Sequence, residues 1–357
     1  MKIAQIAPLA ESVPPRLYGG TERVVSYLTE ALVERGHDVT LFASGDSATS
    51  ARLVRCTDKA LRLDRSVVDV LPHHLLLLDR LREQADEFDV LHFHIDLFHF
   101  PLLRMLDTPA VTTLHGRLDL PDLQPFYRRF PDVPLVSISD AQRAPMPPVN
   151  WVATVNHGLP FGLLAPSPNP EGYLAFLGRI SPEKRPDRAI EIAERSGVPL
   201  KIAAKIDKVD RDYWRDRIEP MVRHSRLVEY VGEIGDDEKA AFLGNASGVL
   251  FPIDWPEPFG LVMIEAMACG TPVIAFRCGS VPEIVDPGTT GFVVSTVEEA
   301  VAAVARIGDL DRATIRRVFE RRFSADRMAA DYEEVYAALA SADRLVPPDR
   351  TVLPLSA

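Results

Sequence analysis

Short apolar runs recur along the chain, each followed by a loop and a stretch whose apolar residues repeat at helical spacing. Lys2–Pro8 is the first run and reads as a buried strand. After a loop rich in Pro and Gly, TERVVSYLTEALVERG places Val24, Leu28, Ala31 and Leu32 on one face. Thr21 is the expected N-cap of this helix and Gly36 its C-cap. DVTLFAS (38–44) reads as the next strand. Strand, glycine turn, helix and strand make a βαβ unit, so the sheet is predicted to be parallel. A helix over about 72–86 and strands over 89–94, 110–116, 135–139 and 152–158 complete the first half. Residues 45–69 show no legible period.

Residues 159–172, LPFGLLAPSPNPEG, read as a linker by composition. The strand–helix alternation then restarts. Strands are predicted at 173–178, 200–205, 227–232, 248–253, 272–276 and 291–294. Helices are predicted through about Arg195 and over about 210–224, 236–245, 259–269, 297–305, 311–322 and 325–342. The pattern predicts an α/β chain of two Rossmann-like, doubly wound domains, residues 1–160 and 170–322, with a closing helix at about 325–342 and a loosely held tail at 343–357. Open α/β sheets bind ligands at the carboxyl ends of their strands. Gly19, Gly20, His94, His115, Asn156, Arg179, Lys184 and Glu257 all fall at such ends.

Composition narrows the classes. The chain has 357 residues, 46% hydrophobic and 25% charged, with a net charge of −11. Neither half carries a basic excess, which argues against nucleic-acid binding and leaves membrane contact at most peripheral. The three cysteines, Cys56, Cys269 and Cys278, form no CxxC pair, and a reducing cytoplasm fits them. The opening residues are too short an apolar run for a signal peptide. No stretch of about 18 apolar residues exists to span a bilayer.

The densest chemistry lies in GVLFPIDWPEPFGLVMIEAMACGTPVIAF (248–276). Pro256 and Pro258 hold Glu257 on an extended turn. Glu265 lies inside a following helix that is apolar nearly all round and therefore buried on most faces. A buried carboxylate needs a polar partner. An internal ion pair or helix N-terminus and a ligand with hydroxyl groups are both open readings. Gly19-Gly20 before a helix start suits a phosphate or a plain tight turn, and it is not the GxGxxG of a dinucleotide site. Arg179 and Lys184 flank the turn GRISPEK, where two cations suit a diphosphate or form a solvated basic turn. His115 ends an apolar strand and either faces the cleft or is structural. His92 and His94 share one side of a strand, but no acid or cysteine completes a metal spacing.

Together these residues resemble the retaining glycosyltransferases of family 4, which have the GT-B fold. PEPFGLVMIEAMACGTPVIA is similar to that family's E-x7-E region. YGGTERVV, TLHG, GRISPEK, GEI and GSVPEIVDPGTTGFVV join it in the expected order. The resemblance implies two domains facing across a cleft, with the last helix crossing back to the N-terminal, acceptor-binding domain. It implies a nucleotide-sugar donor held by the C-terminal domain and an acceptor hydroxyl of unspecified origin. No cofactor or metal is implied.

At matching positions, Gly19 and Gly20 would offer backbone N–H groups to the donor diphosphate, and Arg179 and Lys184 would neutralise it as it leaves. Glu257, with backbone groups at Phe259, Gly260 and Leu261, would bind the sugar, and His115 would contact it near the reacting carbon. Glu265 would bind the ribose, and Glu233 with Ile234 would border the base. Two departures stand out. Arg185 replaces the Gly that many relatives carry after the Lys, and a His is inserted in Asn156-His157-Gly158. The implied activity is a retaining, metal-independent hexosyl transfer in carbohydrate biosynthesis. An epimerase of the same fold and a non-catalytic nucleotide-sugar-binding protein are the alternatives.

Overall fold

The computed structural model describes residues 1–16, 19–167 and 170–342. The tail expected at 343–357 and Tyr18 of the YGG motif lie outside the described residues. The first half builds one seven-stranded sheet from β1 (Lys2–Ile6), β2 (Asp38–Ser44), β3 (Arg52–Thr57), β4 (Val90–Phe93), β5 (Ala110–Thr113), β6 (Leu135–Ser137) and β7 (Trp151–Thr154). The second builds a six-stranded sheet from β8 (Tyr173–Arg179), β9 (Leu200–Lys205), β10 (Val228–Gly232), β11 (Ala246–Phe251), β12 (Val273–Phe276) and β13 (Gly291–Val294). Their orders are β3-β2-β1-β4-β5-β6-β7 and β10-β9-β8-β11-β12-β13, with every pairing parallel. This is the doubly wound α/β architecture, present twice. The strand order reverses between β1 and β4 and again between β8 and β11, and each reversal opens a crevice at the carboxyl ends.

The illegible stretch at 45–69 contains β3, an edge strand. Its Arg52 and Arg55 face solvent, so it lacks the apolar run that marks the central strands. Other differences are local. The first helix, Gly20–Glu34, has Gly19 rather than Thr21 at its N-cap, with no side-chain cap bond. The predicted helix at 72–86 is Leu71–Arg82 followed by a 3₁₀ turn, Ala85–Glu87. The predicted helix at 210–224 is broken into a 3₁₀ turn, one α turn, a π stretch at Trp214–Ile218 and a short helix, Glu219–His224. Pro220 has no N–H for the preceding turn, and its ring crowds the carbonyl four residues back, which favours the wider winding there.

The last helix, Ala325–Ala342, returns to the first domain as expected. Tyr332 reaches Thr113 Oγ1 at 2.8 Å, and the Tyr336 hydroxyl sits 2.7 Å from His92 Nδ1. On the outer side Glu333 takes hydrogen bonds from Arg35 at 2.7 and 2.9 Å and lies 2.7 Å from His37 Nε2. The chain thus crosses between domains twice, at Leu159 and at Ser324, and the two crossings pair side by side in a parallel bridge. A Cβ at Gly158 would stand 2.2 Å from the Ser324 carbonyl oxygen, so this contact requires glycine.

Candidate active site

Between the two sheets lies a cleft of about 580 Å³. Gly19, Gly20 and His115 line it from the first domain. Arg179, Lys184, Glu233, Ile234, Glu257, Phe259, Gly260, Leu261 and Glu265 line it from the second. The tertiary fold therefore brings into one space every residue to which the resemblance gives a donor-site role. His94 and Asn156, which also fall at strand ends, are not in its lining: His94 is tied to Gln5 and His115, and the Asn156 side chain donates to the Ile138 carbonyl. The two strand-order reversals are the reason, since Gly19-Gly20 follow β1, and Arg179 ends β8 while Glu257 follows β11.

On the first domain, the helix at Gly20–Glu34 aims its N-terminus at the cleft. The nearest atom to a Cβ on Gly20 is Leu261 Cδ1 at 3.8 Å, so packing alone does not demand glycine there. The absence of a side chain leaves the backbone N–H groups open to a ligand. Gly19 differs, because a Cβ there would meet Pro15 at 2.9 Å.

On the second domain each cation of the cleft faces an acid. Lys184 is ion-paired with Glu257, and the Trp255 indole N–H donates to Glu257 Oε2 at 2.9 Å. The Lys184 ammonium also lies 5.1 Å from the centre of the Trp255 ring. Arg179 bonds Glu183 at 3.0 Å and lies 3.6 Å from Asp207, which also holds Lys205 at 3.1 Å. Gly260, at φ 81°, turns the chain into the helix Leu261–Ala268, in which Glu265 is 4% exposed. Its partner is Lys239, whose ammonium lies 2.9 Å from Oε1. The internal ion pair left open by the sequence thus exists, inside the cleft rather than away from it. Lys239 also lies 3.3 Å from Asp236, and Asp236 pairs with Arg23 from the first domain.

His115 belongs to a buried polar array. Gln5 Oε1 only accepts, so the His94 Nε2–H donates to it at 2.7 Å. His94 Nδ1 is then bare and accepts from His115 Nε2 at 2.8 Å. This leaves His115 Nδ1 without a proton, buried and without a partner among the described residues. Burial pushes the His115 pKa down to about 3, so its ring is neutral at ordinary pH. His92, the other histidine weighed as a metal ligand, lies 2.7 Å from Tyr336 and 2.8 Å from Thr113. The inserted His157 stacks on His115 at 5.2 Å and packs on Phe259 at 4.8 Å. Arg185 adopts φ 54°, ψ 52°, in the left-handed region that a glycine tolerates more readily, and is held by Asp187 at 3.0 Å and Asp254 at 2.8 Å.

Sequence reasoning missed Lys239, Asp236, Arg23, Lys205, Trp255 and Asp96, which also line the cleft. Lys239 follows DDE and reads as a solvated helix face, so no local signal marks it. Asp96 carried a usable one: it lies two residues past His94 at the end of a predicted strand. In the fold it takes φ 52°, in the left-handed region.

Residues 165–316 match the family model described as Glycosyl transferases group 1, and residues 18–144 match Glycosyltransferase Family 4. A glycogen synthase of Mycobacterium tuberculosis is 26% identical over 386 residues, covering 92% of this chain and 91% of that one. Among solved structures, AviGT4, a glycosyltransferase involved in avilamycin A biosynthesis, superposes with a TM-score of 0.74 at 25% identity, covering 95% of this chain and 98% of its own. HepE of Anabaena, in complex with UDP and glucose, superposes with a TM-score of 0.71 at 18% identity, covering 95% and 100%.

Proposed function

The chain belongs to the glycosyltransferases of group 1 and family 4, and on that premise we propose that it moves a hexosyl group from a nucleoside-diphosphate sugar to an acceptor hydroxyl, with retention of anomeric configuration and without a metal. The observation that carries this reading is the convergence of Gly20, Arg179, Lys184, Glu257 and Glu265 on one cleft. UDP in the complex of the structurally similar HepE supports a donor of the same class.

In this reading the second domain holds the donor and the first receives the acceptor. Departure of the nucleotide builds negative charge on its diphosphate. Arg179, Lys184 and the N–H groups at Gly20 oppose that charge, an electrostatic stabilisation aimed at the transition state. Arriving phosphates draw Lys184 from Glu257, which frees the carboxylate for sugar hydroxyls. Glu257 therefore orients the sugar and does not attack it. His115, neutral and held by His94, shapes the wall beside the sugar and transfers no proton. The acceptor hydroxyl approaches on the face the leaving phosphate vacates and passes its proton to that phosphate. Closure of the two domains excludes water and limits donor hydrolysis.

The test is sugar transfer from a panel of nucleotide sugars by Lys184→Ala and Glu265→Ala. Each is expected to lose about 10²–10³ in kcat/KM, as removal of a preorganised charge does. Wild-type rates in both would refute the site. Activity is expected to persist in chelator, and loss restored by manganese would refute metal independence. Interconversion of the donor without an acceptor would support an epimerase instead.

A further inference from the structure

We propose that Lys239 is a positioning residue of the donor site: its ammonium fixes the Glu265 carboxylate to receive both ribose hydroxyls, which makes the cleft selective for ribonucleotides. This rests on the assignment of Glu265 to the ribose.

Glu265 sits in a helix whose Met263, Ile264, Ala266, Met267 and Ala268 are all buried. A carboxylate there is costly to bury unless a counter-charge meets it. The helix itself gives little help, because Glu265 lies beyond its first turn, where the favourable end of the dipole has faded. Lys239 supplies the charge from the neighbouring helix, Asp236–Gly244, at 2.9 Å. Burial alone pulls the ammonium's pKa down, but Glu265 and Asp236 more than offset this and keep it charged.

Lys239 is itself anchored. Asp236 lies 3.3 Å away on the same helix and is paired across the cleft with Arg23. The alternating series Glu265, Lys239, Asp236, Arg23 therefore runs from the ribose site to the first helix of the other domain. An ionised carboxylate accepts about four hydrogen bonds. Lys239 occupies one on Oε1, leaving capacity on both oxygens for a vicinal diol. A nucleotide lacking those hydroxyls leaves a buried charge undersatisfied, which is how polar sites reject deoxy ligands. If Lys239 is lost, the Glu265 carboxylate loses the contact that fixes its orientation, and the discrimination goes with it.

The experiment is calorimetric titration of the full chain with uridine, guanosine and adenosine diphosphates, each beside its 2′,3′-dideoxy counterpart. Wild type is expected to bind at least one ribonucleotide about tenfold or more tighter than the dideoxy form. Lys239→Met and Lys239→Gln are expected to lose that preference, and Lys239→Arg to keep it. The Gln amide ends one atom short of the ammonium and keeps a polar group in the site, so it serves if the Met variant does not fold. Glu265→Gln is expected to lose the preference by itself, with no further loss on adding Lys239→Gln. A retained preference in either neutral Lys239 variant overturns the proposal. Failure of wild type to bind any nucleoside diphosphate overturns the donor reading with it. Binding without a ribose preference removes the Glu265 assignment and the proposal while leaving the transferase reading standing.

Discussion

His115 stands in the cleft without a proton to exchange. Its Nε2–H is given to His94, and its pKa of about 3 lies far below the range in which histidine ordinarily titrates. The folded state refuses a proton that the unfolded chain accepts, so stability falls as the pH drops from the ordinary histidine range toward about 3. The kcat/KM profiles of wild type and His115→Asn are therefore expected to have the same shape between about pH 5 and about pH 8. An inflection present only in wild type would return a proton-transfer role to this ring. Arg185 is a second residue whose setting only the fold reveals. The sequence marks it as standing where relatives carry Gly, and the backbone explains why Gly is common there, since φ is 54°. Two ion pairs hold the arginine in place. Arg185→Ala is expected to melt lower than wild type, because it keeps the left-handed strain and loses both pairs. Arg185→Gly is expected to be more stable than the Ala variant by about 1 kcal/mol in thermal unfolding. Equal melting of the two would show that no strain is stored there.

Among the elements, the last helix is the one whose position matters most. Its return to the first domain is implied by the family resemblance and not by any local pattern in its sequence. In the fold it covers the first domain, with Tyr332 and Tyr336 closing the buried array beneath His115. Glu333 ties its outer face to Arg35 and His37, and hydrogen bonds from Arg35 are the main reason its pKa is lowered to about 2. A depressed carboxyl contributes stability that is full above its unfolded pKa and is lost as the pH falls through its folded one. Wild type is thus expected to lose melting temperature as the pH drops from the ordinary glutamate range through about 2, and Glu333→Gln to show a flatter slope over that interval. Parallel slopes would show that the contact is screened by solvent. Most elements were legible because buried parallel strands are nearly all apolar and helices repeat at 3.6 residues. Edge strand β3 was hidden by its exposed arginines, and the break before Pro220 by a helical period that continues through it.

At the scale of the molecule, the domains meet through polar contacts outside the cleft as well as within it. Glu283 accepts from the backbone N–H groups of Asp140 and Ala141 at 2.7 Å each, and the Ser139 hydroxyl donates to the Pro258 carbonyl at 2.6 Å. Arg23 and Asp236 join the other flank. Contacts of this kind favour a closed cleft before a ligand arrives. Small-angle scattering is expected to show a larger radius of gyration for Glu283→Ala combined with Arg23→Ala than for wild type. An unchanged radius would mean that the paired crossings at Leu159 and Ser324 set the angle by themselves. The sequence by itself determined two parallel α/β halves, because strand and helix periods are local properties of the chain. It also placed Gly20, Arg179, Lys184 and Glu257 at strand ends and turns, because these are local too. It did not so place Lys239, Asp236, Arg23 or Trp255, which line the same cleft. Which charge meets which was decided only by the tertiary structure. Lys239 and Glu265 are distant in sequence and carry no shared local pattern, as are Lys184 and Glu257, and each pair forms because packing buries the acid where one cation can follow.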